Sequence, residues 1–305
     1  MSATVRGSLL ATIAFALVGS LVAASDSVES YPLAEGQFLR YALAAAALLA
    51  IARGRLPRLG AREALGLAAL AATGLVLFNV FVIEGVRETD PATVGVIIGC
   101  VPVVLALAGP LLERRPVSGR VLMAAVTVAL GAAAVQWTDG GITPAGLGLA
   151  LGALGCEAAF SLLAAPHLAR LGPLAVSAYA CLFALPLLAA WSLAAGGGPD
   201  VPLPETEEGL ALLYLALAVT TGGFLAWYSA VGILGVERAG LCSGVLPVSA
   251  LACSAAIGAA DVTPTRLVAV AVVAAGITLG LRAARPSDHA GRPKVAAAVV
   301  RSSAN

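Results

Sequence analysis

The chain has 305 residues, 60% of them hydrophobic and 11% charged, with a net charge of +1 and a mean hydropathy of +0.96. A soluble domain carries roughly 25% charged residues, so this composition excludes a soluble globular protein and indicates an integral membrane protein. The only lysine is Lys294, close to the C-terminus, which excludes a P-loop ATPase because that motif sets a lysine beside the phosphates.

A helix needs about 20 apolar residues to cross a bilayer. Ten segments qualify, at about 7–24, 33–51, 64–86, 91–112, 119–136, 146–165, 174–194, 209–232, 239–258 and 266–282. The connections are short, and three carry turn chemistry: Arg53-Gly54 to Pro57, Asp139-Gly140-Gly141, and Gly196-Gly197-Gly198-Pro199. The first segment, with Arg6 before it and LVAAS after it, has the outline of a secretory signal peptide. The internal repeat described next requires it as a retained helix. Residues 283–305 are Arg, Ser, Gly and Ala without periodicity and are expected to form a disordered cytoplasmic tail.

One pattern occurs twice. Gly95, Gly99 and Pro102 in VGVIIGCVPVV match Gly240, Gly244 and Pro247 in AGLCSGVLPVS, 145 positions later. The register holds at Gly131 and Gly276 and, with one small gap, at Pro32 and Pro173. Glycines four apart let helix backbones approach closely in lipid, and the proline removes a backbone hydrogen bond and bends the helix. The repeat predicts two units, 1–137 and 144–282, each of five helices.

Charge supplies orientation. With the N-terminus inside, the inner loops hold Arg6, Arg53, Arg55, Arg58, Arg62, Arg114, Arg115, Arg120, Arg170 and Arg238. The tail adds Arg282, Arg285, Arg292, Lys294 and Arg301, which brings fifteen of the eighteen basic residues to one side. The outer loops hold only Arg87 and Arg266, and are otherwise acidic. Basic loops stay in the cytoplasm, so both termini are predicted inside. An odd number of helices per unit makes the second unit enter from the opposite face. The predicted fold is therefore an all-α membrane protein of ten transmembrane helices in two inverted five-helix repeats. This is the architecture of many secondary transporters, with the substrate site near the midplane.

Several stretches resemble the EamA-like branch of the drug/metabolite transporter superfamily. They are PLAEGQFLRYALAAAALL with Arg40-Tyr41, the run from Glu84 through Pro102, and LLERRPVSGRVLMAAVTVALGAAAV with Glu113 and Gly131. The resemblance covers about residues 7–282 and implies ten helices, termini inside, and a cavity lined mainly by helices 1, 3, 4, 6, 8 and 9. It also implies export or exchange of small metabolites, amino acids or drugs. The chain departs from the family pattern at Gly258, which stands where a second glutamate matching Glu113 belongs, and at Glu84, where alanine is usual.

A charge inside the bilayer costs several kcal/mol, so each one asks for a reason. The spans hold Glu35, Arg40, Glu84 and Glu157. Arg40 lies roughly 12 Å in from Pro32, and Glu157 roughly 16 Å in from Gly146, at 1.5 Å per residue. The similar depths place both near the midplane and suggest one shared polar cavity with a pairing across the halves. Arginine at this position is common in the resembled family whatever is carried, so Arg40 also reads as a group fixing helix 2. Ser161 lies one turn beyond Glu157 on the same face. Glu35 and Glu84 fall near the outer surface, where a carboxylate reaches water. Thr73, Leu77, Val80 and Glu84 share one face of helix 3, so Glu84 is also a candidate at the outer gate. Asn79 either lines the cavity or bonds a neighbouring helix. Helix 8 carries Phe224, Trp227 and Tyr228, rings suited to an apolar or cationic organic solute. Trp137 and Trp191 fit an interface belt.

These features predict a secondary transporter of small organic solutes such as amino acids, amines or drug-like molecules. It would be an exporter working by alternating access, with protons as the candidate coupling ion. Its partners are a small-molecule substrate and the lipid bilayer, with no nucleic acid. A passive facilitator or channel is the alternative, and an intramembrane enzyme the remote one: Ser243 precedes Gly244, but no histidine lies within a span to act as its base. No cofactor or metal is called for. The two histidines and the five scattered cysteines, without C-x-x-C spacing, make no zinc site.

Overall fold

The structure is a computed structural model that describes residues 2–21, 24, 26–28, 31–136, 141–194, 203–258 and 260–282. The tail at 283–305 and Trp137 lie outside the described residues. Among the described residues every regular element is helical. Eight helices are long and apolar enough to cross a membrane, and α1 (Ala3–Gly19) is a shorter apolar helix. The eight are α2 (Leu33–Ile51), α3 (Ala61–Glu88), α4 (Pro91–Leu112), α5 (Gly119–Gln136), the run Pro144–Ala194, α8 (Thr206–Leu234), α9 (Val236–Ala256) and α10 (Pro264–Arg282).

The 51-residue run is divided at Gly172, whose φ of 75° and ψ of 166° are not helical. Its two parts are α6 (144–171) and α7 (173–194). Gly235 takes nearly the same conformation, φ 82° and ψ 160°, between α8 and α9. Only glycine occupies this region at low cost, so each turn is written into the chain by one residue. Caps mark other starts. Ser2 Oγ accepts from the Val5 amide and Asp90 Oδ2 from the Thr93 amide, with Pro91 in the first turn of α4.

The helical distortions repeat with the sequence. A π-helical stretch interrupts α3 at Ala71–Leu77 and α8 at Leu215–Gly222. A turn at Gly99 and Cys100 interrupts α4, and a tight 3-10 stretch at Leu241–Gly244 interrupts α9. Each of these last two breaks lies just before its proline, Pro102 or Pro247, where the missing N–H leaves a carbonyl one turn back without its helical donor.

α5 and α10 pack on each other. A Cβ at Gly131 would stand 2.8 Å from Val273 Cγ2, and one at Gly276 would stand 2.8 Å from Val128 Cγ2. Val273 is the repeat counterpart of Val128, so the contact is reciprocal. Ala124 faces Gly280, Val128 faces Gly276 and Gly131 faces Val273, rising numbers against falling ones. The two helices are therefore antiparallel, and the contact has the self-complementary form of a two-fold interface.

The two units differ in burial. Residues 236–244 of α9 are buried throughout, apart from half-buried Arg238, whereas in the matching stretch 91–99 only Val94 is buried. The difference reverses further along: Val101, Pro102, Leu105, Ala106, Gly109 and Pro110 of α4 are buried, but in 246–257 of α9 only Pro247 is. The helices are thus packed closed at the end holding Arg115 and Gly235, and the matching stretches are more exposed at the other. At the closed end Arg170 pairs with Glu63 on α3, and Arg115 Nη1 lies 3.6 Å from Glu237 Oε1.

The closed end makes Gly244 sensitive. A Cβ there would lie 2.6 Å from Val128 and 2.7 Å from Val273, whereas at Gly99 the nearest side chain, Ala132, is 3.8 Å away. Gly244→Val is expected to cost about 1–3 kcal/mol of overpacking, read as a lower unfolding temperature in detergent. Gly99→Ala is expected to cost clearly less. Equal losses would contradict the asymmetry.

Candidate functional site

Glu157 stands midway along α6, deep in the protein yet partly accessible, which places it against a void between helices. Its carboxylate makes no hydrogen bond or ion pair among the described residues. One turn on, Phe160 leans over Gly74 of α3, where a Cβ would sit 2.6 Å from its ring. Phe160 meets Phe224 at 5.0 Å and Tyr228 at 5.2 Å between ring centroids, and Phe224 and Tyr228 are 6.0 Å apart. These three rings form a triangle between α6 and α8. Tyr228 is fully buried, and its hydroxyl has no hydrogen-bond partner among the described residues.

Two neighbouring helices complete the surroundings. The electrostatic neighbours of Tyr228 are Cys181, Glu157 and Tyr41, and those of Tyr41 are Arg40, Cys181, Asn79 and Glu157. The site thus draws on α2, α3, α6, α7 and α8. Asn79 Nδ2 donates to the Leu75 carbonyl at 2.8 Å, next to the π-helical stretch, so its amide both mends its own helix and faces Tyr41. Ser161 is buried beside Glu157, with 2% of its surface exposed.

Arg40 does not pair with Glu157. Its Nε donates to Thr220 Oγ1 on α8 at 2.7 Å, both groups buried, and its guanidinium lies 5.4 Å from the Tyr41 ring centroid. Depth alone had suggested the pair. The π-helical stretch of α8 brings Thr220 within reach of the guanidinium, and the charge is drawn toward that helix. Thr220→Val is expected to destabilise the protein by about 1–2 kcal/mol, the range of a charge-assisted bond discounted for a membrane interior. A double-mutant cycle of Arg40→Gln with Thr220→Val, read by unfolding temperature, checks this. Additive losses would show that the bond contributes nothing.

The remaining candidates lie elsewhere. Glu84 is half-exposed and paired with Arg87 Nη1 at 2.7 Å, one turn along at the end of α3. Trp227 faces away from the ring triangle and packs edge-on against Phe15 of α1 at 5.0 Å. Glu35 is not solvated as its position suggested. It is only 9% exposed and accepts from Ser192 Oγ on α7 at 2.6 Å. Gly95 lies under Gln136 of α5, and Gly240 under Leu105 of α4, so both are points of close helix approach. Phe160, Tyr41, Cys181 and Thr220 join the site without having been singled out for it. For Phe160 the signal was present: it follows Glu157 by three residues on the same helix face.

Comparison with known proteins agrees with this fold. The sequence profile of the EamA-like transporter family matches residues 5–137 and again 144–282. The chain is similar to "Uncharacterized transporter YetK" of Bacillus subtilis (strain 168), at 28% identity over 278 residues that cover 87% of this chain and 83% of that protein. A protein known from a crystal structure superposes with a TM-score of 0.75 at 20% identity, covering 92% of this chain and 98% of the other.

Proposed function

The chain belongs to the EamA-like transporter family, whose members are membrane transporters and not enzymes, and from that premise we propose that it exports small organic solutes by alternating access. The proposed units are 1–137 and 144–282, five helices each and inverted relative to one another, with α6 and α7 as separate spans. Both termini are cytoplasmic in this reading, in a cell membrane. The observation that carries it is the unequal burial of matching helices, residues 236–244 buried but for Arg238 and 91–99 mostly half-buried. Two like halves in unlike states can trade states, and the trade moves the opening from one end to the other. The antiparallel seam of α5 and α10 supports the inversion.

The arginine-rich loops gather at the closed end, among them Arg58, Arg62, Arg114, Arg115 and Arg170. With basic loops inside, the state described is open outward and closed toward the cytoplasm. Glu157 is the proposed coupling group, exchanging a proton for the solute. Growth protection of a host expressing the chain, across a panel of toxic amino acids, amines and dyes, tests this. Protection against a narrow set, lost when an uncoupler collapses the proton gradient, is expected. Solute movement that is insensitive to the uncoupler and never uphill would leave a passive facilitator.

A further inference from the structure

Among the carboxylates of the spans, Glu157 is in an unusual position. Glu35 is held by Ser192, Glu84 by Arg87, and Glu237 lies beside Arg115. Glu157 has no such partner among the described residues, although it lies one turn from Phe160 and is an electrostatic neighbour of Tyr228. Arg40, a buried cation on α2, is bonded to Thr220 on α8. A second polar atom nearby is also unpartnered, the hydroxyl of fully buried Tyr228, which counts Glu157 among its electrostatic neighbours.

A ligand that satisfies these groups together must bring a positive charge for Glu157, N–H donors for an oxygen acceptor, and an apolar body for Phe160, Phe224 and Tyr228. Ring faces attract a cation within about 6 Å, and Phe160 and Phe224, both partly exposed, stand here beside buried Tyr228. We propose that the Glu157 cavity binds a protonated amine with an aromatic or aliphatic body, the ammonium at Glu157 and Tyr228 and the body on the ring triangle. This rests on the transporter reading and narrows it to one chemical class. A free carboxylic acid would set like charge against Glu157. A zwitterion would need Arg40 for its other end, and Thr220 competes for that guanidinium.

The test is equilibrium binding to the purified full chain in lipid nanodiscs, with phenethylamine as the probe. Phenylacetate, phenylalanine and N,N,N-trimethylphenethylammonium are the competitors. Saturable phenethylamine binding is expected, weakened at least about tenfold by Glu157→Gln, the loss of one charge-assisted contact. Tyr228→Phe removes only a hydroxyl. It is expected to weaken phenethylamine about three- to tenfold while leaving the trimethyl analogue, which has no N–H to donate, unchanged. That difference separates a ligand contact from a packing defect, and both variants are first shown to elute as a single species with wild-type unfolding temperature.

Phenylacetate or phenylalanine competing as well as the amine would overturn the proposal. So would no saturable amine binding up to about 10 mM, or equal affinity of Glu157→Gln. Counterflow of other solutes in vesicles separates the two readings. Flux of another solute without amine binding rejects the amine class alone, whereas no flux of any solute rejects the transporter mechanism with it.

Discussion

Glu157→Gln is expected to abolish uphill transport while sparing the fold. Glutamine keeps the volume and most of the hydrogen-bonding capacity but cannot take up or release a proton. One proton exchanged per solute, against a pH difference of one unit, sustains at most about a tenfold solute gradient, because one unit equals about 1.4 kcal/mol. Wild-type protein in sealed vesicles is expected to approach that ratio, and the variant to stay at one. Solute already bound on one side and labelled solute on the other still exchange in the variant, if only the coupling is lost. A full gradient in Glu157→Gln would remove the carboxylate from the mechanism and turn attention to Glu84, half-exposed at the other end of the bundle.

The second large effect is expected at the closed end. Arg115 lies between Glu113 at 2.7 Å and Glu237 at 3.6 Å, and so joins the end of α4 to the start of α9. Burial works against its charge, but the two carboxylates outweigh that and hold its pKa above the usual arginine value. Glu237 itself is buried, with 7% of its surface exposed. Arg115→Gln leaves that carboxylate facing a neutral group. With Arg115 about half exposed, the loss is expected near 1–2 kcal/mol, well under that of a fully buried pair. That energy is lost only in the closed arrangement, so the equilibrium moves about five- to thirtyfold toward opening at this end.

Two native cysteines report the change. Cys242 is fully buried in the closed stretch, and Cys100 is half-buried at the matching break in α4. In two single-cysteine proteins, one keeping Cys242 and the other Cys100 with the other four replaced in each, a membrane-impermeant maleimide is expected to label Cys242 faster from the arginine-rich side in Arg115→Gln. Cys100 labelling from the opposite side is expected to slow. Faster labelling at both positions would mean general loosening and not a shift between states.

Much of the architecture was legible because it follows from long-range bookkeeping of hydropathy and repeat. Most span boundaries fall within three residues of the helices, since a bilayer fixes the apolar length, but α1 ends five residues before its expected end and α6 runs six residues past its own. The Gly-x-x-x-Gly-x-x-Pro copies foretold the breaks in α4 and α9, because a missing N–H is a local fact. The π-helical stretches at Ala71–Leu77 and Leu215–Gly222 were not legible. No residue type demands an extra residue in a turn, and each such stretch rotates everything after it. That rotation decides which side chains meet. It brings Thr220 to Arg40 and helps send Trp227 toward Phe15 and away from the ring triangle. Glu35 was misjudged for another reason. Depth along one helix says nothing about the neighbour on its flank, and Ser192 comes from a helix 157 positions away in the chain.

The reciprocal seam of α5 and α10 acts as a fulcrum. Val128 fills the hollow at Gly276 as Val273 fills the hollow at Gly131, so in the proposed inverted arrangement the pseudo-two-fold axis would run between these two contacts. When two halves swap conformations, whatever lies on the axis is mapped onto itself. The seam therefore has the same energy whichever end is open, and damage to it penalises both states alike. Substitutions at Gly131 and Gly276 should make the protein fragile without biasing it, whereas a change off the axis, at Arg115, tilts the balance. Robustness and switching are thereby assigned to different residues, and each can be altered without the other.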